Sequence, residues 1–177
     1  MLEEQDIRAF VYGTTQYFEV AAQQAATVGS PFLVTQGAPE IHDYTGVITV
    51  SGRRDGVVHF SAPRGMLTVL LMKMNESNVT HDNLRDLVGE VANTISGNVR
   101  RDFGKVFVIS VPTVVSGHAQ SIELPPGCRP MVIPINWRSH AAKLVVCLNQ
   151  SSPGSRPPAI CTGRPPSSAH CAAVAMR

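Results

Sequence analysis

Asp86, Glu90 and Asn93 stand four and then three residues apart in the run DNLRDLVGEVANTISGNVRRDFG, which reads as one amphipathic helix over Asp82–Gly104. At about 100° per residue these three side chains share one stripe with Gly97 and Arg101. An amide accepts through its oxygen while it donates through its nitrogen, so Asn93 can engage two different groups at once. Glu90, one turn away, is its neighbour on that face. Asn is a mediocre helix former, and Gly costs ~1 kcal/mol against Ala inside a helix. Yet Gly89, Asn93, Gly97 and Asn98 all occur here. Small residues beside an acid and an amide would let another backbone come close to the helix. The alternative is a solvated face that tolerates glycines.

The remaining residues of the run explain how such a face would be held. Leu84, Val88, Val91, Ile95 and Val99 fall within about 80° of one another on the opposite side, a stripe suited to burial. Asp82 is placed to cap the N-terminus, and Gly104 to end the helix. Arg100 and Arg101 suit the negative end of the helix dipole.

Asp86-x-x-x-Glu90-x-x-Asn93, continuing into Thr-Ile-Ser-Gly-Asn, precedes the segment FVISVPTVV with Pro112 and a later Leu-Pro-Pro-Gly turn. In this order the pattern resembles the CheX/CheC family of chemotaxis phosphatases, and CheX most closely, from Met1 to about Gln150. The resemblance implies an α+β, CheC-like fold, a largely antiparallel sheet packed with long helices. It implies a phosphatase whose substrate is a phosphorylated CheY-like response regulator. The regulator would bring the acyl phosphate, a bound Mg²⁺ and a lysine, and this chain needs no cofactor of its own. Asn93 would orient the attacking water and Glu90 would engage the regulator's lysine. Asp86 would dock at the periphery, while Gly89 and Gly97 would permit close approach. Relatives form dimers through their sheets, so the resemblance implies a homodimer. CheC-type members carry a second site on the first helix. No Glu-x-x-Asn occurs between Glu3 and Thr27, which fits a single site. Pro112 follows Asn93 more closely than in CheC-type members, and no catalytic role is assigned to it.

The chain carries no nucleophile elbow, Walker loop, Gly-x-Gly-x-x-Gly or credible triad. A hydrolase working through its own nucleophile is thereby disfavoured. A domain that binds a phosphorylated regulator without hydrolysis, or a relative of the motor switch, is the rival reading. Asn93 separates the two, because a pure binder needs no amide beside the glutamate.

A chain of 177 residues with 44% hydrophobic content suits one domain with a sizeable core. The net charge is +2, and three arginines without acids after residue 150 leave residues 1–150 at −1. That near-neutral body offers no nucleic-acid surface. Residues 151–177, rich in Pro, Ser and Ala, read as a disordered tail after a domain spanning 1–150. Cys128, Cys147, Cys161 and Cys171 form no C-x-x-C pair and read as reduced thiols in the cytoplasm. Cys161, His170 and Cys171 match no zinc spacing, so no metal site is assigned. The acidic start is no signal peptide, and apolar runs fall far short of the ~20 residues that span a bilayer.

The elements that must position the helix follow in order. A first helix is expected over Glu3–Thr27, then strands at Phe32–Thr35, Tyr44–Ser51 and Val57–Ala62. Asp55-Gly56 signals a hairpin between the last two. Met66–Asn75 reads as a helix whose methionines serve mainly as core. Val106–Val115 reads as one strand, with Pro112 at an edge or bulge, and Gln120–Leu124 as a further candidate. Met131–Asn136 and Lys143–Leu148 close the sheet as a hairpin. Pro134 there again suggests an edge or bulge, and Trp137 a seal at the end of the core.

Overall fold

The computed structural model describes residues 2–35, 37–52, 54–104, 107–117 and 122–150. The tail assigned to 151–177, with Cys161, His170 and Cys171, lies outside them. Among the described residues, three helices, α1 (Glu4–Ala21), α2 (Arg64–Lys73) and α3 (His81–Phe103), accompany eight strands. The strands are β1 (Thr27–Val28), β2 (Phe32–Leu33), β3 (Tyr44–Gly52), β4 (Arg54–Ala62), β5 (Phe107–Ile109), β6 (Thr113–Ser116), β7 (Met131–Trp137) and β8 (His140–Gln150). They form one antiparallel sheet in the order β1-β7-β8-β4-β3-β5, with β2 also on β7 and β6 also on β3. The expected α+β class is the one observed.

Helix α3 lies on β3 and also packs against α1 and α2. Leu84, Val88, Val91, Ile95 and Val99 are all fully buried, so the apolar stripe faces the sheet as its spacing requires. Gly46 of β3 sets how close the helix comes. A Cβ there would collide with the Val88 carbonyl and stand 2.9 Å from the Ala92 methyl. Phe10, Phe18 and Phe60 fill the space between α1 and the sheet, and Phe18 lies 5.8 Å from the Trp137 ring, which seals this end.

Several boundaries differ from the sequence reading. The first helix stops at Ala21, because Gln23 turns to φ 49° and the Gln24 carbonyl accepts from Trp137 Nε1 at 3.0 Å. Thr27–Val28 then pair with β7, so tertiary contacts override the helical propensity of the alanine run. Helix α3 is capped by Thr80, whose hydroxyl accepts from the Asn83 amide at 3.1 Å, rather than by Asp82. Asp55-Gly56 is not the turn. The chain reverses between Gly52 and Arg54, while Gly56 pairs with Val50 and with Leu148 inside the sheet.

The expected single strand Val106–Val115 is two strands. Ile109 pairs with Val50 and Thr113 with Val47, so Ser110–Pro112 oppose only Ile48 and Thr49. This one-residue bulge on the sheet edge accommodates Pro112. Ile122–Leu124 form no strand, and the earlier part of that candidate lies outside the described residues. Pro134 sits in β7, a strand paired on both sides. On its outer side it falls in the gap between β1 and β2, where its carbonyl accepts from Gly29 at 2.9 Å.

The reading of all cysteines as reduced thiols is overturned for one pair. Cys128 and Cys147 form a disulfide, with Cα atoms 5.9 Å apart. The turn Pro125–Cys128, with Gly127 at φ 73°, swings the chain back beside β8, and no local spacing announces such a meeting. The cysteine argument for a reducing compartment falls with it. No helix of the described residues is long and apolar enough to cross a membrane.

Candidate active site

The outward stripe of α3 is the candidate site. Asp86 and Glu90 are exposed and Asn93 is half-buried. Among the described residues, neither Glu90 nor Asn93 has a hydrogen-bond or ion-pair partner. Both side chains keep their capacity for a partner molecule. Gly97 looks into open space, with nothing within 4 Å of where a Cβ would stand. Arg101 closes the stripe and contacts Asn98 and Gln16.

The two flanks of the stripe are built differently. On one side, Asn98 Nδ2 reaches the Gly13 carbonyl of α1 at 3.4 Å. Tyr17 of α1 is buried beside Glu90, and its phenol is raised well above its ordinary pKa by burial and, second, by the Glu90 charge. Tyr17 therefore stays a neutral hydroxyl within electrostatic reach of the carboxylate.

On the other side runs the edge of the sheet. Arg85 donates to Ser116 Oγ at 3.1 Å and to the Val114 carbonyl at 3.5 Å. One turn on, Gly89 is buried, and a Cβ there would meet Val114 at 3.3 Å and Pro112 at 3.5 Å. The close approach that Gly89 permits in this fold is that of the chain's own edge strand. Asn93 follows a further turn along the same flank.

The residue that sequence reasoning missed is the wall on the α1 side, Tyr17. Tyr17 sits in a helix whose apolar spacing gave it no distinction. Pro112, expected at an edge or bulge, is found in the edge bulge, and its contact with Gly89 is what the sequence does not show.

This geometry supplies no nucleophile paired with a base. Among the described residues, no group of three or more His, Cys, Asp or Glu could hold a metal ion. What it offers is an amide and a carboxylate on the outward stripe of α3, between α1 and the edge strands.

The family model described as chemotaxis phosphatase CheX matches residues 44–136. That span runs from the start of β3 through α3 into β7, as far as Asn136, and contains the whole stripe. The chain belongs to the CheX family.

No curated protein matches its sequence. Solved structures do match. A chemotaxis protein from Desulfovibrio vulgaris Hildenborough superposes with a TM-score of 0.73 at 23% identity, over 82% of this chain and 97% of that one. The chemotaxis protein CheX from Vibrio vulnificus gives 0.71 at 18%, over 82% and 99%. CheX from Borrelia burgdorferi, in a complex with CheY, BeF3 and Mg²⁺, gives 0.64 at 18%, over 80% and 96%. At these identities the structures establish the shared fold, and the CheX family match carries the class of activity.

Proposed function

We propose that this CheX-family chain hydrolyses the aspartyl phosphate of a CheY-like response regulator, with Asn93 orienting the attacking water. The observation that carries this reading is the Glu90–Asn93 pair on the outward stripe of α3, whose side chains have no hydrogen-bond or ion-pair partner among the described residues. The complex of the Borrelia relative with CheY supports the choice of partner.

The chemistry follows from what each molecule contributes. The regulator supplies the phosphoaspartate, a lysine and Mg²⁺, which neutralises charge on the phosphoryl oxygens. Water attacks phosphorus in line, the bond from phosphorus to the carboxylate oxygen breaks, and the products are inorganic phosphate and free aspartate. The Asn93 carbonyl accepts from that water while its NH₂ donates to a phosphoryl oxygen. Glu90 pairs with the regulator's lysine and fixes the register of the amide. Asp86 docks at the rim, and Gly97 leaves room for the regulator's backbone.

The decay of acyl phosphate on a phosphorylated CheY-like receiver tests the assignment. The wild-type chain is expected to accelerate it, and Asn93→Ala to lose about 10²–10³ of that acceleration, the usual scale for one preorganised hydrogen-bonding group. Wild-type rates in Asn93→Ala would refute the role of the amide. Binding of the receiver without acceleration by either form would favour a non-catalytic module. Homodimerisation belongs to the same proposal, as does a cytoplasmic setting shared with the partner. Sedimentation velocity at micromolar concentration is expected to give twice the 19.0 kDa chain mass, and a monomer there refutes it.

A further inference from the structure

We propose that Val111 is an apolar anchor for the phosphorylated receiver, held at the flank of Asn93 by the Ser110–Pro112 bulge. The inference rests on the phosphatase reading and adds to it a residue outside the Asp-Glu-Asn stripe.

Val111 is 84% exposed, more than any other large apolar side chain among the described residues. A lone surface valine ordinarily needs no explanation. This one is fastened in place. The Ser110 amide donates to the Thr49 carbonyl at 2.9 Å, and the Thr49 amide donates back to Ser110 Oγ at 3.0 Å. Ser110 Oγ also donates to the Val111 carbonyl at 2.8 Å, and Pro112 fixes the next φ. The bulge therefore presents the side chain outward on a rigid support, so ordering it costs little on binding.

Its place follows from the contacts between α3 and the edge strands. Arg85 meets Ser116, and Gly89 meets Val114 and Pro112, so helix and strand run past each other in opposite directions. The next turn of the helix, at Asn93, comes level with the bulge. In a doubly wound receiver the phosphorylated site lies at the carboxyl ends of the strands, ringed by loops. An amide inserted there brings its own flank against that loop rim, and Val111 is the apolar group on the flank. Covering it would bury apolar surface at the rim of the contact, a contribution to binding rather than to the chemical step.

The test is a steady-state comparison of the wild-type chain, Val111→Asp and Val111→Ile, varying the phosphorylated receiver, with Asn93→Ala beside them. Val111→Asp is expected to raise KM by about tenfold or more, with kcat within about twofold and Tm unchanged, while Val111→Ile keeps the wild-type KM. A wild-type KM for Val111→Asp, with Asn93→Ala inactive, overturns the anchor and leaves the phosphatase reading intact. A fall in kcat at constant KM would overturn it too, by giving Val111 a role in the chemistry instead. If the wild-type chain itself leaves receiver decay unchanged, the phosphatase reading fails and the anchor fails with it.

Discussion

His59 carries its consequence in a single side chain. It lies in β4 between Val47 of β3 and Val145 of β8, only 2% exposed, and its Nε2 has no hydrogen-bond partner among the described residues. Burial lowers its pKa from 6.5 to about 4. A depressed histidine means that the unfolded chain binds the proton more readily. The stability it permits is present above pH 6.5 and is lost as pH falls from there toward about 4. The loss is on the order of 3 kcal/mol once both states would be protonated. Urea unfolding at pH 7, 6, 5 and 4 should show the decline in the wild-type chain. Carboxylates add their own slope, so the decisive quantity is the difference from His59→Leu, in which the histidine share is absent. Parallel curves for the two proteins would contradict the assignment.

Among the elements, α3 decides the site, and its height above the sheet is set by Gly46. The nearest obstacles to a methyl group there are the Val88 carbonyl and Ala92, backbone and a buried side chain that cannot rotate aside. Gly46→Ala must therefore lift or tilt the helix. Overpacking of this kind costs about 1–3 kcal/mol, or roughly 2–12 °C in Tm for a domain of this size. Because Ala92 precedes Asn93, the displacement reaches the amide, and turnover is expected to fall further than the folded fraction explains. An unchanged Tm would show that the helix does not rest on the strand as described. The helix itself was legible in the sequence, since a period near 3.6 and the Glu-x-x-Asn spacing belong to one continuous segment. Its setting was not. Gly46 stands more than forty residues before Asn93 and reads as an ordinary strand glycine until α3 is laid over it. The same limit hid Tyr17 and the contact of Pro112 with Gly89, and it ended the first helix at Ala21, where Trp137 takes the Gln24 carbonyl.

At the scale of the whole molecule, the disulfide and the proposed partner pull in different directions. Cys128–Cys147 closes a loop of 19 residues, which in the chain-entropy account stabilises the fold by about 3 kcal/mol. A response regulator works in the cytoplasm, where glutathione and thioredoxin hold most thiols reduced. The bond ties the segment around Gly127 to β8, two strands away from β3 and the α3 face above it. Reduction is therefore expected to lower Tm without abolishing activity. Alkylation of the denatured chain by iodoacetamide without reductant should label two of the four cysteines, and all four after reduction. Cys128→Ser should reproduce the reduced Tm while accelerating receiver decay at the wild-type rate. Four labels without reductant would restore the thiol reading. Loss of turnover in Cys128→Ser, with the fold intact, would couple β8 to the site and make the bond a part of the function.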